Sequence, residues 1–132
     1  MSDDPQRLDI DEISGFLSRS YWAGNRPRAV IAKSIQYSFS FGLYDGERQI
    51  GFARVVSDHA TFAYLMDVFI EEGYRGLGLG KWLLQCIFSH PELQGLRRWG
   101  LATSDAHGLY SQFGFTPLHD PSIMMEKIDL EK

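Results

Sequence analysis

The chain has 132 residues, 44% apolar and 14% aromatic, a size and composition that fit one folded domain and exclude a disordered chain. Thirteen basic against seventeen acidic residues leave a formal charge of −4, and the basic ones are scattered, densest at "NRPR" and "LRRW". A nucleic-acid partner is therefore excluded, and mild acidity suits a cationic small substrate better than an anionic one.

The acidic start "MSDDPQRLDIDEI" has no apolar signal core, and no run approaches membrane-spanning length. The expectation is a soluble cytoplasmic protein with no membrane partner. Residues 11–19, "DEISGFLSR", read as a helix with acids in its first turn and Ile13, Phe16 and Leu17 on one face. "YWAGN" breaks that pattern. A second helix is expected from Pro27 to about Tyr37, with Val30, Ile31 and Ile35 as its apolar side.

The period then changes to two. "SFSFGLYD" places Phe39, Phe41 and Leu43 on one face, and Asp45-Gly46 is a hairpin signal. "RQIGFARVVSD" is the next strand, alternating Ile50, Phe52, Arg54 and Val56 against small residues. "TFAYLMDVFI" follows and is apolar enough to lie centrally in a sheet.

A glycine-rich stretch, "EEGYRGLGLGKWLLQCIF", leads into a helix ending near Ser89. The lone cysteine, Cys86, excludes an internal disulfide framework and suits a reducing compartment. Its apolar neighbours predict packing rather than nucleophilic work. "RRWGLAT" reads as a strand, "AHGLYSQF" as a short helix, and "GFTPL" and "SIMMEKI" as two short strands. Hairpins and irregular alternation make this an α+β chain on a mixed, mostly antiparallel sheet with about four helices. With no internal repeat or linker, residues 1–132 form a single expected domain.

Glycines at alternate positions before a helix suggest a diphosphate clasped by main-chain N–H groups at the positive helix end. An ordinary strand–helix loop is the alternative. A Walker loop fails twice: Arg75 stands where its first glycine belongs and Trp82 where Ser or Thr should hold magnesium. A dinucleotide fingerprint fails as well, with Lys81 or Leu83 in place of its third glycine.

Arg75-Gly76-Leu77-Gly78-Leu79-Gly80 instead matches [Q/R]-x-x-G-x-[G/A] directly after an apolar strand, and "AHGLYSQFGF" fits A-x-x-L-Y-x-x-x-G-F. With these two motifs in this order, the chain resembles the GNAT superfamily of N-acetyltransferases, most securely over residues 38–116. The resemblance implies the GNAT fold and acetyl-CoA as co-substrate, with the acetyl group passing directly from the thioester to a small-molecule or peptide amine. A monomer or homodimer is expected. A CoA-binding regulatory module without turnover is the competing reading.

By the same resemblance, the loop of Gly76, Leu77, Gly78, Leu79, Gly80 and Lys81 holds the pyrophosphate, and Arg75 either shapes that loop or meets phosphate. Val68, Phe69 and Ile70 lie along the pantetheine, and the Ile70 N–H polarises the thioester carbonyl. Tyr110 either protonates the departing thiolate or packs its ring beneath the acyl group. Thr103 stands where many members have asparagine and is expected to bond to the pantetheine or thiol. Tyr21 and Trp22 either line the acceptor cleft or anchor the helix junction. Asp67, a carboxylate in an apolar strand, is either a base whose pKa burial raises or a structural group paired with a cation such as Arg54. His107 is either a second base candidate or a surface or structural histidine, and a water chain is a third route. The four histidines have no metal-ligand spacing, so no metal is expected.

Overall fold

The computed structural model describes residues 1–132. The chain divides into two compact units, Met1–Leu101 and Ala102–Lys132. The first unit holds three helices, α1 (Ile10–Ser18), α2 (Arg28–Gln36) and α3 (Leu79–Phe88), and four strands. These strands are β1 (Phe39–Asp45), β2 (Arg48–Ser57), β3 (Phe62–Ile70) and β4 (Arg98–Gly100), in the spatial order β1-β2-β3-β4. The β1–β2 and β2–β3 pairs are antiparallel and β3–β4 is parallel, so the sheet is mixed as expected.

Local chemistry sets the element ends. Asp9 caps α1, its carboxylate accepting from the Asp11 and Glu12 N–H groups. Gly46, with φ of 61°, makes the first corner of the β1–β2 turn. Asp58 shapes the β2–β3 turn by accepting from the Ala60, Thr61 and Phe62 N–H groups and the Thr61 hydroxyl. Those bonds hold its carboxyl well below the usual range. At the N-terminus, Ser2 and Gly42 exchange two main-chain bonds of 2.9 Å, which extends the sheet edge.

Ile13, Phe16 and Leu17 of α1 and Ile31 of α2 are buried with Phe52 and Phe69 of the sheet. Phe16 and Phe69 stack with centroids 5.0 Å apart. Val30, expected on the apolar side of α2, is instead half exposed, and Ile35 is only partly buried. On this short helix Ile31 alone is buried. Leu83, Leu84 and Ile87 form the buried face of α3, with Cys86 half-buried beside them.

Two expectations fail near the C-terminus. "RRWGLAT" pairs only over Arg98–Gly100, because Thr103 is drawn into a local turn in which its Oγ1 accepts from the Ala106 N–H at 3.0 Å. In the second unit α4 covers His107–Ser111, but "GFTPL" and "SIMMEKI" are not strands. Asp120 and Pro121 instead start a 3-10 turn over Pro121–Ile123, with Asp120 Oδ1 accepting from the Ser122 N–H. Proline lacks the ladder donor, and this turn chemistry wins over the alternating pattern.

Candidate active site

The decisive feature of β3 is an irregularity. Phe52 pairs with Phe69 and Arg54 with Met66, so β3 spends three residues where β2 spends two. The extra residue is a bulge at Asp67, whose φ is 56°. A non-glycine residue in the left-handed region is uncommon, and aspartate tolerates it better than most.

The Asp67 side chain shows what holds it there. Its Oδ2 accepts from Arg26 Nη1 at 2.7 Å and Arg54 Nε at 3.0 Å, and its Oδ1 from Trp22 Nε1 at 3.0 Å. Burial alone would push this carboxyl up. The Arg26 hydrogen bond and charge, the Arg54 charge and the Trp22 bond outweigh it and hold the pKa below the ordinary value. The upward shift expected of a base is therefore corrected, and the pairing with Arg54 is present. Arg26 is a partner that the sequence does not signal, since "NRPR" shows there only as a local density of charge.

The same network ties the loop between α1 and α2 to the sheet, through Trp22 and Arg26. Trp22 thus anchors the helix junction by its N–H. Its ring remains 42% exposed and meets the exposed Tyr21 edge-on at 5.1 Å. Arg54 reaches further, donating from Nη1 to Ser38 Oγ at 2.9 Å.

From Leu65 onward, β3 has a partner on one side only. The parallel ladder to β4 covers Phe62, Ala63 and Tyr64, so residues 65–70 face no strand on that outer side. The Glu71 N–H donates to the Ile50 carbonyl at 2.7 Å, and alternation then turns the Ile70 N–H and carbonyl outward, with Val68 two residues before. Arg75 Nε donates to that Ile70 carbonyl at 2.9 Å, and its guanidinium lies 5.0 Å from the centroid of the Phe69 ring. Arg75 thus ties the loop back to the end of β3. Glu71 pairs with Arg19 at 3.1 Å, and the Tyr74 hydroxyl donates to Asp45 at 2.7 Å, fixing the approach to the glycines.

Gly76 and Gly78 have φ of 80° and 77°, and a Cβ at either would meet nothing within 4 Å. Their backbone conformation, not crowding, calls for glycine, and it leaves the loop surface bare. Gly78 is the N-cap of α3 and no side chain caps the helix. The first bond across the cap is Trp82 N–H to the Gly78 carbonyl at 3.1 Å, so the N–H groups of Leu79, Gly80 and Lys81 stay available. Leu77 and Lys81 are exposed beside them. A bare helix start followed by an anion-seeking dipole fits a pyrophosphate, and the open β3 edge fits an amide-bearing chain.

In the second unit Tyr110 is buried on α4, its ring edge-on to Phe115 with centroids 6.0 Å apart. Thr103 Oγ1 serves the turn at the start of α4, and His107 is exposed. No group of three or more His, Cys, Asp or Glu side chains is placed to hold a metal ion, and no helix is long and apolar enough to cross a membrane.

The acetyltransferase (GNAT) domain family model matches residues 36–117. The chain belongs to the GNAT family of acetyltransferases. A GNAT-family structure from Xanthomonas campestris pv. campestris is 49% identical, covers 97% of this chain and 91% of its own, and superposes with a TM-score of 0.94. A relative from Gibberella zeae, named as an acetyltransferase, is 33% identical and covers 85% of this chain and 75% of its own length. A Clostridium acetobutylicum structure solved with acetyl-CoA has a TM-score of 0.69 at 15% identity, covering 98% and 94% of the two chains, and shares the fold. The four-stranded mixed sheet with four helices is thus a GNAT fold, and the chain is an acyltransferase.

Proposed function

We propose that this GNAT chain passes an acetyl group from acetyl-CoA directly to an amine and holds the donor mainly through its backbone. The observation that carries this reading is the unpaired outer edge of β3 over residues 65–70, running towards the bare start of α3. A pantetheine arm can add to such an edge as a strand would, with Val68 and Ile70 offering main-chain partners beside Phe69. The N–H groups of Leu79, Gly80 and Lys81 receive the pyrophosphate at the positive end of the helix, and Lys81 adds charge. Gly76 and Gly78 keep side chains away from it, with Leu77 at the rim.

The outward Ile70 N–H polarises the thioester carbonyl, and the Tyr110 hydroxyl protonates the departing thiolate. Thr103 Oγ1 already accepts from Ala106, which leaves its proton to donate towards the pantetheine or thiol. The acceptor enters beside Tyr21 and Trp22, whose exposed rings suit an amine. Asp67 is a positioning residue, not the base. Two guanidiniums against its single charge favour the neutral form of an amine nearby, and the ammonium proton leaves through water.

The family match crosses both compact units, which supports one acetyltransferase domain over residues 1–132. A lone cysteine supports a reducing, cytoplasmic setting. The test is a panel of amines assayed for thiol release from acetyl-CoA, together with thermal shifts. Release with at least one amine, and a shift with acetyl-CoA but none with ATP, is expected. Acetyl-CoA binding with no turnover on any amine would replace this reading by a CoA-binding regulatory module. No shift with acetyl-CoA would overturn the donor assignment.

A further inference from the structure

The sheet of the first unit ends in an open edge. β4 is its last strand and bonds only on the β3 side. The Arg98 N–H donates to the Thr61 carbonyl at 3.3 Å, so alternation turns the main-chain groups of Trp99 and Leu101 outward. Such an edge is a template for a further strand. Arg97 and Arg98 stand exposed at its start and form no ion pair. Two free cations there repel a basic strand and favour one that carries a carboxylate.

The second unit holds a segment that lacks a strand neighbour. Within it the Ile123 and Met124 N–H groups close the 3-10 turn, and from Met125 to Ile128 no main-chain group has a partner. Met124, at φ of −90° and ψ of 132°, leaves the turn extended. Ile123, Met124, Met125, Ile128 and Leu130 are between 52% and 94% exposed. Large apolar side chains crowded together in this way and left in water mark an interaction surface rather than scattered exposure. Glu126, Asp129 and Glu131 count against a membrane as the partner.

The two features fit one another. The four-stranded sheet does not include residues 123–128, so every copy carries both an open edge and a spare strand. Reciprocal exchange between two copies pairs both at once and closes the assembly. We propose that two copies of this chain exchange these segments, each laying Ile123–Glu126 antiparallel along Arg98–Leu101 of the other, with Met125 opposite Trp99. In that register the Met125 N–H and carbonyl bond to the outward groups of Trp99, and the Ile123 carbonyl accepts from the Leu101 N–H. Opposed residues share a face, so the Met125 thioether meets the Trp99 ring, Ile123 meets Leu101, and Glu126 faces Arg98.

The inference does not depend on acetyl transfer. Sedimentation equilibrium of the full chain is expected to show a dimer, twice the 15.1 kDa of one copy, with an unfolding temperature that rises with protein concentration. Met125→Pro removes an N–H that bonds across the edge. Each dimer loses that bond twice, so the variant should dimerise about tenfold more weakly or worse. Glu126→Pro removes an N–H that points away from β4 and should weaken the dimer by about threefold at most. Both positions lie where the single copy makes no main-chain bond, so each variant should keep the wild-type circular dichroism. Exchange itself is read by refolding isotope-labelled wild type together with unlabelled Cys86→Ser, Glu131→Cys chains that carry a nitroxide. The Trp99 and Leu101 amide resonances of the labelled copy should broaden. A chain that stays monomeric at its highest soluble concentration would overturn the proposal. So would a dimer that Met125→Pro leaves intact, one that Glu126→Pro disrupts equally, or one in which those two amides stay sharp.

Discussion

Arg54 Nε and Asp67 Oδ2 lie 3.0 Å apart, joining β2 to the left-handed corner of β3 with side chains only 9% and 1% exposed. A strained backbone of this kind persists where its surroundings over-determine it. Here Arg54 is joined by Arg26 and Trp22, so a single carboxylate holds both the bulge and the loop between α1 and α2. The bulge in turn lies within the one stretch of β3 whose outer backbone has no strand beside it.

Asp67→Asn leaves two buried guanidiniums without their counter-charge, and the expected loss of stability at neutral pH is about 3–5 kcal/mol. The pH dependence follows from the direction of the shift. Because the folded-state pKa is depressed, the charge contribution is complete above the unfolded value of about 3.9 and is lost as pH falls below it. The gap between wild type and variant in urea unfolding should therefore hold from neutral pH to about pH 5 and narrow by about 1 kcal/mol on reaching about pH 3. A gap that stays constant across that range would refute the ionic account.

Committing Asp67 to three donors also predicts a rate profile. An alkylammonium of pKa about 10 must lose its proton before attack, and no carboxylate near the bulge is left to take it. With a simple amine that the panel identifies as an acceptor, kcat/KM should rise about tenfold per pH unit from pH 6 towards 9. It should show no inflection near neutrality. A plateau with an apparent pKa between about 6 and 7 would instead reveal an enzyme base.

The contrast between what sequence conveyed and what it hid has a physical origin. β1, β2 and β3, the start of α1 and the end of α3 follow from local periodicity, capping and turn glycines, and the structure places them within a residue or two of expectation. The Asp67 site depends on partners distant in the chain: Arg26 is 41 residues away and Trp22 is 45. An aspartate inside "YLMDVFI" therefore reads equally as a base or as an anchor until those partners are known. Periodicity misled at "SIMMEKI", where Asp120 and Pro121 turn the chain into a 3-10 segment and Met125 is 94% exposed. The open edge of β3 was also hidden, because "RRWGLAT" looks long enough to cover more of it than Arg98–Gly100 do.

The two glycines of the loop motif should respond oppositely to alanine. Gly78 has φ of 77°, where a Cβ costs about 1–2 kcal/mol, and it also lies against the free N–H groups of α3. Gly78→Ala should lower both stability and the acetyl-CoA thermal shift. Gly80 is already helical, and a Cβ there would meet Ile70 Cγ1 at 3.8 Å, an ordinary contact. Gly80→Ala should gain about 0.5–1 kcal/mol from helix propensity and keep the shift. Equal losses in both variants would contradict this assignment of backbone roles.

Tyr110→Phe removes only the hydroxyl from a residue that is buried on α4 beside Phe115. If that hydroxyl protonates the thiolate, the variant should fold, bind acetyl-CoA with nearly unchanged affinity and lose at least about tenfold in kcat. The loss should also depend on the leaving group. An acetyl thioester of a more acidic thiol needs less proton donation, so the gap between wild type and Tyr110→Phe should narrow with it. Steady-state rates with two thioesters of different thiol acidity provide the check. Wild-type turnover in the variant would remove the acid role, and an equal loss with both thioesters would leave Tyr110 as a packing residue.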